Sequence, residues 1–367
     1  MKKVFLDDMI LTKAFPTTAG SRMLDGFMSL FDATVGEKLS AAGFEIAGKS
    51  PVGEFAIDLA GETCFAGAAD TANALKNDTV SALVAFDING APRRVAAQSG
   101  LVYVKPTYGT VSRYGTVPVA CSGECVGVMA KTVADCREVL SAIVGKDERD
   151  GTMHADEVCR NAVASKKPVR RVALLKLEGC DSAEIKAAKA EMAANGIEIC
   201  EIDAGVIACA NAAWNMLMCA ELCNNVSRYD GVKYGYRTKN YKNLDELYTN
   251  SRTEAFGLTL KTAILYGSDV LSTKNYMAKY DKSLRVRRVI SEAFAEIFKS
   301  FDAVLMPACS KMSYTDKDCA FVENKYTAPA SITGLPAVVV GGVQLMGAAF
   351  SDGDLLDLAA LLAKEGK

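Results

Sequence analysis

Short apolar runs alternating with helix-patterned stretches restrict the fold of this 367-residue chain more than any other feature. A run of three to six apolar residues between turn formers reads as a buried strand, and a longer stretch that opens at a cap and stops at glycine reads as a helix. Residues 4–6 are such a run, followed by a loop through Pro16, Thr17 and Thr18, a helix over 33–42 stopped by Gly43, and a strand over 44–47 ahead of Gly48 and Pro51. That order predicts a βαβ unit. A second is expected where Lys166-Lys167-Pro168-Val169-Arg170-Arg171 leads into a strand over 172–175, a helix over 182–194, a stop at Gly196 and a strand over 197–202. Between the two units, a helix is predicted over 71–78 and strands over 82–86 and 101–104. Thr132 with Asp135 three residues on is a capping-box pattern that opens a helix closed at Gly145. Long helices over 206–225, 244–265 and 274–301 come next, and apolar runs at 303–306 and 337–340 close the sheet. Strands interleaved with helices predict an α/β fold: one large domain, 1–367, with a mixed, mostly parallel sheet flanked by helices.

Half of the residues are hydrophobic and 23% are charged, which excludes a disordered or fibrous chain. With 42 basic and 44 acidic side chains the net charge is −2, so no global field draws nucleic acid and direct nucleic-acid binding is not expected. Met1-Lys2-Lys3-Val4-Phe5-Leu6-Asp7-Asp8 offers too few apolar residues before its two acids for a secretory signal. No apolar run approaches the roughly 18 residues of a membrane span. Twelve cysteines without such a signal point to reduced thiols and a cytoplasmic protein.

The single histidine, His154, lies in the polar stretch 150–157 and reads as a surface residue, so hydrolytic chemistry here would have to do without histidine. Residues 43–50 match the phosphate-loop pattern G-x-x-x-x-G-K-[ST], but Phe44, Glu45 and Ile46 read as a strand, where a phosphate loop needs small residues opening a helix. Cys121 and Cys125, like Cys219 and Cys223, are four apart. With the pairs far from each other and one in mid-helix, they read as buried apolar thiols and no metal site is expected. The basic run 166–171 reads as a solvated approach to a strand.

The stretch from Ala82 to Gly115 joins a strand, the small-residue turn Asn89-Gly90-Ala91-Pro92-Arg93, and a second strand ending in Lys105-Pro106-Thr107-Tyr108-Gly109. It resembles the centre of the amidase signature family. Ser227-Arg228-Tyr229-Asp230-Gly231 through Arg237, Ser251-Arg252 through Gly257, Leu265 through Ser272, and Ser331-Ile332-Thr333-Gly334-Leu335-Pro336 resemble one branch, the A subunit of the tRNA-dependent Asp/Glu amidotransferase. The resemblance covers most of the chain. It implies a nucleophilic serine, a bridging serine on a cis peptide bond and a lysine as base, with main-chain N–H groups as oxyanion hole and no cofactor. Such chemistry suits a chain with one histidine, because desolvation can lower a lysine's pKa enough for its amine to act as a base. It also implies B and C subunits as partners, with glutamine supplying ammonia.

Set against that resemblance, the reacting positions are altered. The lysine position aligns with Asp7, the bridging serine with Gly67, and the nucleophile with Ala91. The arginine that holds glutamine falls near Lys261-Thr262-Ala263, and the acid before Tyr-Thr falls at Asn324, ahead of Lys325-Tyr326-Thr327. Set beside the full-length members of the family it resembles, the chain is expected to lack an N-terminal helical segment before the first strand and to be shortened near Val340. The expectation is a catalytically inactive, A-subunit-like protein acting as a binding or regulatory partner. The rival expectation is an amidohydrolase with a rebuilt nucleophile and base, for which Cys64, Ser81 and Ser122 are candidates.

Overall fold

The computed structural model describes residues 1–58, 63–65, 67, 71–310 and 321–364. Strand β1 (Lys3–Asp7), helix α1 (Thr34–Ala41) and strand β2 (Glu45–Ser50) form the first βαβ unit, with β1 and β2 parallel. Helix α2 (Thr71–Lys76), β3 (Ala82–Asp87), α3 (Ala91–Ser99), β4 (Val102–Lys105), β5 (Cys125–Ala130), α4 (Val133–Ile143) and α5 (Asp156–Ala162) follow. The second unit is β6 (Arg171–Lys176), α6 (Ala183–Ala194) and β7 (Glu198–Asp203), again a parallel pair. Then come α7 (Ala210–Asn225), α8 (Leu244–Ala255), α9 (Leu258–Leu271), α10 (Lys282–Ile297) and β8 (Ala303–Pro307). Helix α11 (Ala328–Thr333), β9 (Ala337–Val340), β10 (Val343–Gly347) and α12 (Asp352–Ala363) complete the chain.

The ten strands make one mixed sheet in the order β2-β1-β3-β5-β4-β9-β10-β8-β6-β7. Parallel pairing holds only at its two flanks, in β2-β1-β3 and β8-β6-β7. The central pairs, from β3-β5 through β10-β8, are antiparallel, so the expected predominance of parallel pairing does not hold. The physical reason is that β5 inserts between β3 and β4, and a tight turn at Gly341 and Gly342, both at positive φ, folds β10 back on β9. Along β3, Ala82, Val84 and Phe86 enter the larger core while Leu83 and Ala85 enter a smaller one under α2 and α3. Both faces of the sheet are therefore covered, which is why its strands read as continuous apolar runs and not as alternating ones.

The cap at Thr132 forms as expected, its side chain accepting the Asp135 N–H, and Ser182, expected as the first residue of its helix, caps α6 and accepts the Ile185 N–H. The single helix expected over 244–265 is broken at Phe256 and Gly257. The buried carboxylate of Glu54 accepts the Gly257 N–H (2.9 Å), and a Cβ at Gly257 would lie 2.7 Å from Glu54 Oε2. Side-chain capping of α9 thus replaces the helical bonds that would have continued α8. The 205–228 stretch is long and apolar enough to cross a membrane by length and composition. Its face bearing Trp214, Leu217, Met218 and Leu222 is buried, as in a core helix.

Candidate functional site

Strands β1, β2 and β3 run parallel, so their C-terminal ends share one edge of the sheet. Asp7 ends β1, Ser50 ends β2 opposite it in register, and the turn into α3 leaves β3 at Asp87. Ligands of open α/β sheets are held at such an edge.

Asp7, at the expected base position, is buried, and both its carboxyl oxygens accept main-chain N–H groups: Oδ1 from Met9 (2.8 Å) and Oδ2 from Phe86 (2.6 Å). Burial pushes its carboxyl up to about 7, against the opposing pull of those two N–H groups and of Lys49. The carboxyl ties β1 to β3. Lys49, the last residue but one of β2, donates to the Ile10 carbonyl and to Thr17 Oγ1 (3.2 Å) and lies 3.7 Å from Asp8 Oδ1. Burial pushes its ammonium down to about 8, although Asp8 and Asp7 favour the charged form. A strand through Gly48 and Lys49 is no phosphate cradle, in keeping with the sequence reading.

Gly90 turns the chain from β3 into α3 at φ 93°, and a Cβ there would lie 2.2–2.5 Å from Thr327 atoms. Only glycine fits the turn. Ala91, the first helical residue, is half-buried and presents a methyl group, and Pro92 removes one first-turn N–H. Beneath it, Arg93 is fully buried and forms a bidentate pair with Asp87 (2.8 and 3.1 Å). The guanidinium also donates to the Thr327 carbonyl, Gln344 Oε1 and Ser331 Oγ. These acceptors on β3, α11 and β10 and in the loop before α11 satisfy a charge that would otherwise be prohibitive to bury. The frame of the turn is intact around an unreactive residue. Gly67 is exposed, with open space where a side chain would stand.

The two softer substrate-side positions converge. Thr262 lines a cavity of about 310 Å³ with Ala212, Asn215, Tyr266 and Phe321. Asn324 is fully buried and donates to Asn215 Oδ1 (2.7 Å), whose own amide donates to Asn211 Oδ1 and to the Phe321 carbonyl. The cavity is lined mainly by apolar groups, and its one amide, Asn215, belongs to a hydrogen-bonded chain with Asn211 and Asn324, whose Oδ1 has no hydrogen bond among the described residues. Sequence reasoning does not single out Asn211 and Asn215, although their i, i+4 spacing on one helical face is the available signal.

The candidate replacement nucleophiles part company. Ser81 precedes β3, its N–H bonded to the Lys3 carbonyl, and lies at the opposite edge of the sheet. Ser122 has a buried Oγ with no hydrogen bond among the described residues. Glu221 and Arg287 bind only its main chain, so no base meets its hydroxyl there. Cys64 shares a cavity of about 290 Å³ with Lys49, Asp8 and Thr18, a grouping the sequence does not reveal. His154 is exposed, edge-on to Phe350. Burial pushes the Cys125 thiol up to about 11 and that of Cys219 to about 12, as suits apolar thiols. Among the described residues no group of three or more His, Cys, Asp or Glu side chains is placed to hold a metal.

The family model described as Amidase matches residues 4–356. The chain is 33% identical to the A subunit of glutamyl-tRNA(Gln) amidotransferase from Acinetobacter baumannii, over 96% of this chain and 80% of that one. The corresponding protein of Dechloromonas aromatica, which bears the same name, is 34% identical, over 96% and 81%. The crystal structure of the Thermotoga maritima A subunit superposes with a TM-score of 0.80 at 28% identity, covering 99% of this chain and 83% of the other.

Proposed function

Because the chain belongs to the amidase family, with A subunits of glutamyl-tRNA(Gln) amidotransferases among its relatives, we propose that it is a catalytically silent member acting as a binding or regulatory partner. The observation that carries this reading is Ala91: a methyl group occupies the start of α3, at the tip of a turn whose Asp87–Arg93 frame is complete. Acyl transfer needs a nucleophile and a base within reach of one another. Asp7, titrating near neutrality, has the basicity to accept a proton, but residue 91 carries no hydroxyl or thiol to give one and the carboxyl oxygens of Asp7 are held by main-chain N–H groups. The expected associates are amidotransferase B and C subunits. A small amide such as glutamine is the ligand to try at the Asn215 cavity, where Thr262 and a neutral amide stand in place of a charged clamp. The protein, alone and with its host's B and C subunits, should release no ammonia from glutamine while co-eluting with at least one of them. Release above a blank refutes silence, and absence of co-elution refutes the partner role.

One observation favours a second reading, an amidohydrolase with a rebuilt site: Cys64 lines the same cavity as Lys49, whose lowered pKa leaves a fraction of free amine at neutral pH. Stoichiometric, Lys49-dependent labelling of Cys64 by an amide-like electrophile would favour it over the first.

A further inference from the structure

The loop between α7 and α8 concentrates positive charge on a chain whose total is −2. Residues 228–242 hold Arg228, Lys233, Arg237, Lys239 and Lys242 against one acid, Asp230. All five cations are exposed, and none of Lys233, Arg237, Lys239 and Lys242 forms an ion pair with a described residue. Asp230 is turned inward on its own loop, accepting the N–H groups of Val232 and Lys233. The acids that follow on α8, Asp245, Glu246 and Glu254, keep their charge, with Glu254 accepting from Tyr236 and Thr238 and Glu246 from the Lys242 N–H, so the cations outnumber the acids clearly only on the loop itself.

Aromatic faces alternate with these cations. Tyr234 is 59% exposed and Tyr241 42%, and Arg237 stacks over Tyr241 with its guanidinium 5.7 Å from the ring centre. The loop is also fastened from below. Gly231 sits at φ 76° against Ser251, where a Cβ would come within 2.5 Å of Oγ. Tyr236 N–H donates to the Met23 carbonyl (2.7 Å), Thr238 N–H to Ser251 Oγ (3.1 Å), and Asn250 to the Asn240 carbonyl (2.6 Å). Four cations with no ion pair among the described residues and two exposed rings thus stand on a fixed base, so little ordering entropy opposes a ligand. Neutral small molecules would leave the charges unused, and against an acidic protein surface stand the three lysines, a residue type depleted from protein interfaces.

We propose that this loop binds single-stranded RNA, the cations tracking phosphates and Tyr234 and Tyr241 stacking on bases. This departs from the expectation drawn from net charge, which averages the patch away.

The test is fluorescence anisotropy of the full chain with a labelled oligouridylate of about 12 nucleotides, a length within the usual span of single-strand sites, between about 50 and 300 mM salt. Four neutralised phosphates give a slope of log K against log salt of about −3 for a single strand. The combined variant K233E/K239E/K242E should weaken binding at least about tenfold. Tyr234→Ala should weaken it by about fivefold or more without changing the slope. Each variant touches only exposed side chains, and an unchanged melting temperature certifies the fold. The proposal is overturned if oligouridylate does not bind at the lowest salt, if the charge-reversed variant binds as the parent does, or if polyglutamate competes as well as RNA.

Discussion

Replacing Asp7 by asparagine should flatten the pH dependence of stability. The native carboxyl is pushed by burial from the usual 3.8 to about 7, so between those values the folded state holds a proton that the unfolded state has released. Stability from this group is complete below the unfolded pKa and is lost as pH rises through the folded one, at about 1.4 kcal/mol per pH unit. From about pH 5 to 7.5 that amounts to about 2–3 kcal/mol. Lys49, lowered to about 8, is protonated in both states through most of that window and contributes little slope of its own. Asparagine carries a fixed cost, because its NH₂ must face the N–H of either Met9 or Phe86, so the slope and not the absolute stability is the readout. Urea unfolding followed by the fluorescence of the one tryptophan, Trp214, at the two ends of that pH window under reducing conditions measures it. On going to the higher pH, the parent should lose about 2–3 kcal/mol more than Asp7→Asn. Equal pH dependence in the two proteins would show that Asp7 is ionised throughout and that its burial has been misjudged.

Arg93→Met should destabilise by about 3–5 kcal/mol in the same assay, since it strands the buried Asp87 carboxylate; a loss under about 1 kcal/mol would mean that water or another donor takes the place of the guanidinium. Glu54→Ala should cost about 1–3 kcal/mol and raise hydrogen exchange at Gly257, because the N-terminus of α9 loses its acceptor. Ala91→Ser alone should yield no glutaminase activity, whereas Asp7→Lys, Gly67→Ser and Ala91→Ser together are the fair repair. Reacting groups of this kind act as a unit, so full activity from the single change would show that a base already faces residue 91.

The two βαβ units are legible in the sequence because each contains a helix of the right length, an apolar helical face and a glycine stop between two apolar runs. The helix α3 is not, because Ala91 to Ser99 begins with Ala-Pro and carries two arginines. The burial of Arg93 depends on Asp87 nearby and on Thr327, Ser331 and Gln344, which lie far away in the chain. Strand β5 escapes sequence reasoning because Gly127 interrupts its apolar run. That glycine is required by Tyr103 on the neighbouring strand, whose hydroxyl would lie 2.3 Å from a Cβ there, a constraint no local pattern carries. At the site, Asp7 and Ala91 can be picked out singly from the resemblance. Their chemical state cannot, since the raised carboxyl of Asp7 follows from desolvation by strands that are distant in sequence. The meeting of Cys64 with Lys49, and of Thr262 with Asn215, likewise belongs to the packing of loops and helices.

Ammonia release from glutamine and asparagine, measured under reducing conditions for the purified protein with and without its host's B and C subunits, tests the central claim most directly. Catalytic silence predicts no release above the blank in either state, with co-elution of B or C. Release that persists in the purified protein and disappears with Cys64→Ser would contradict it and assign the chemistry to the Lys49 cavity.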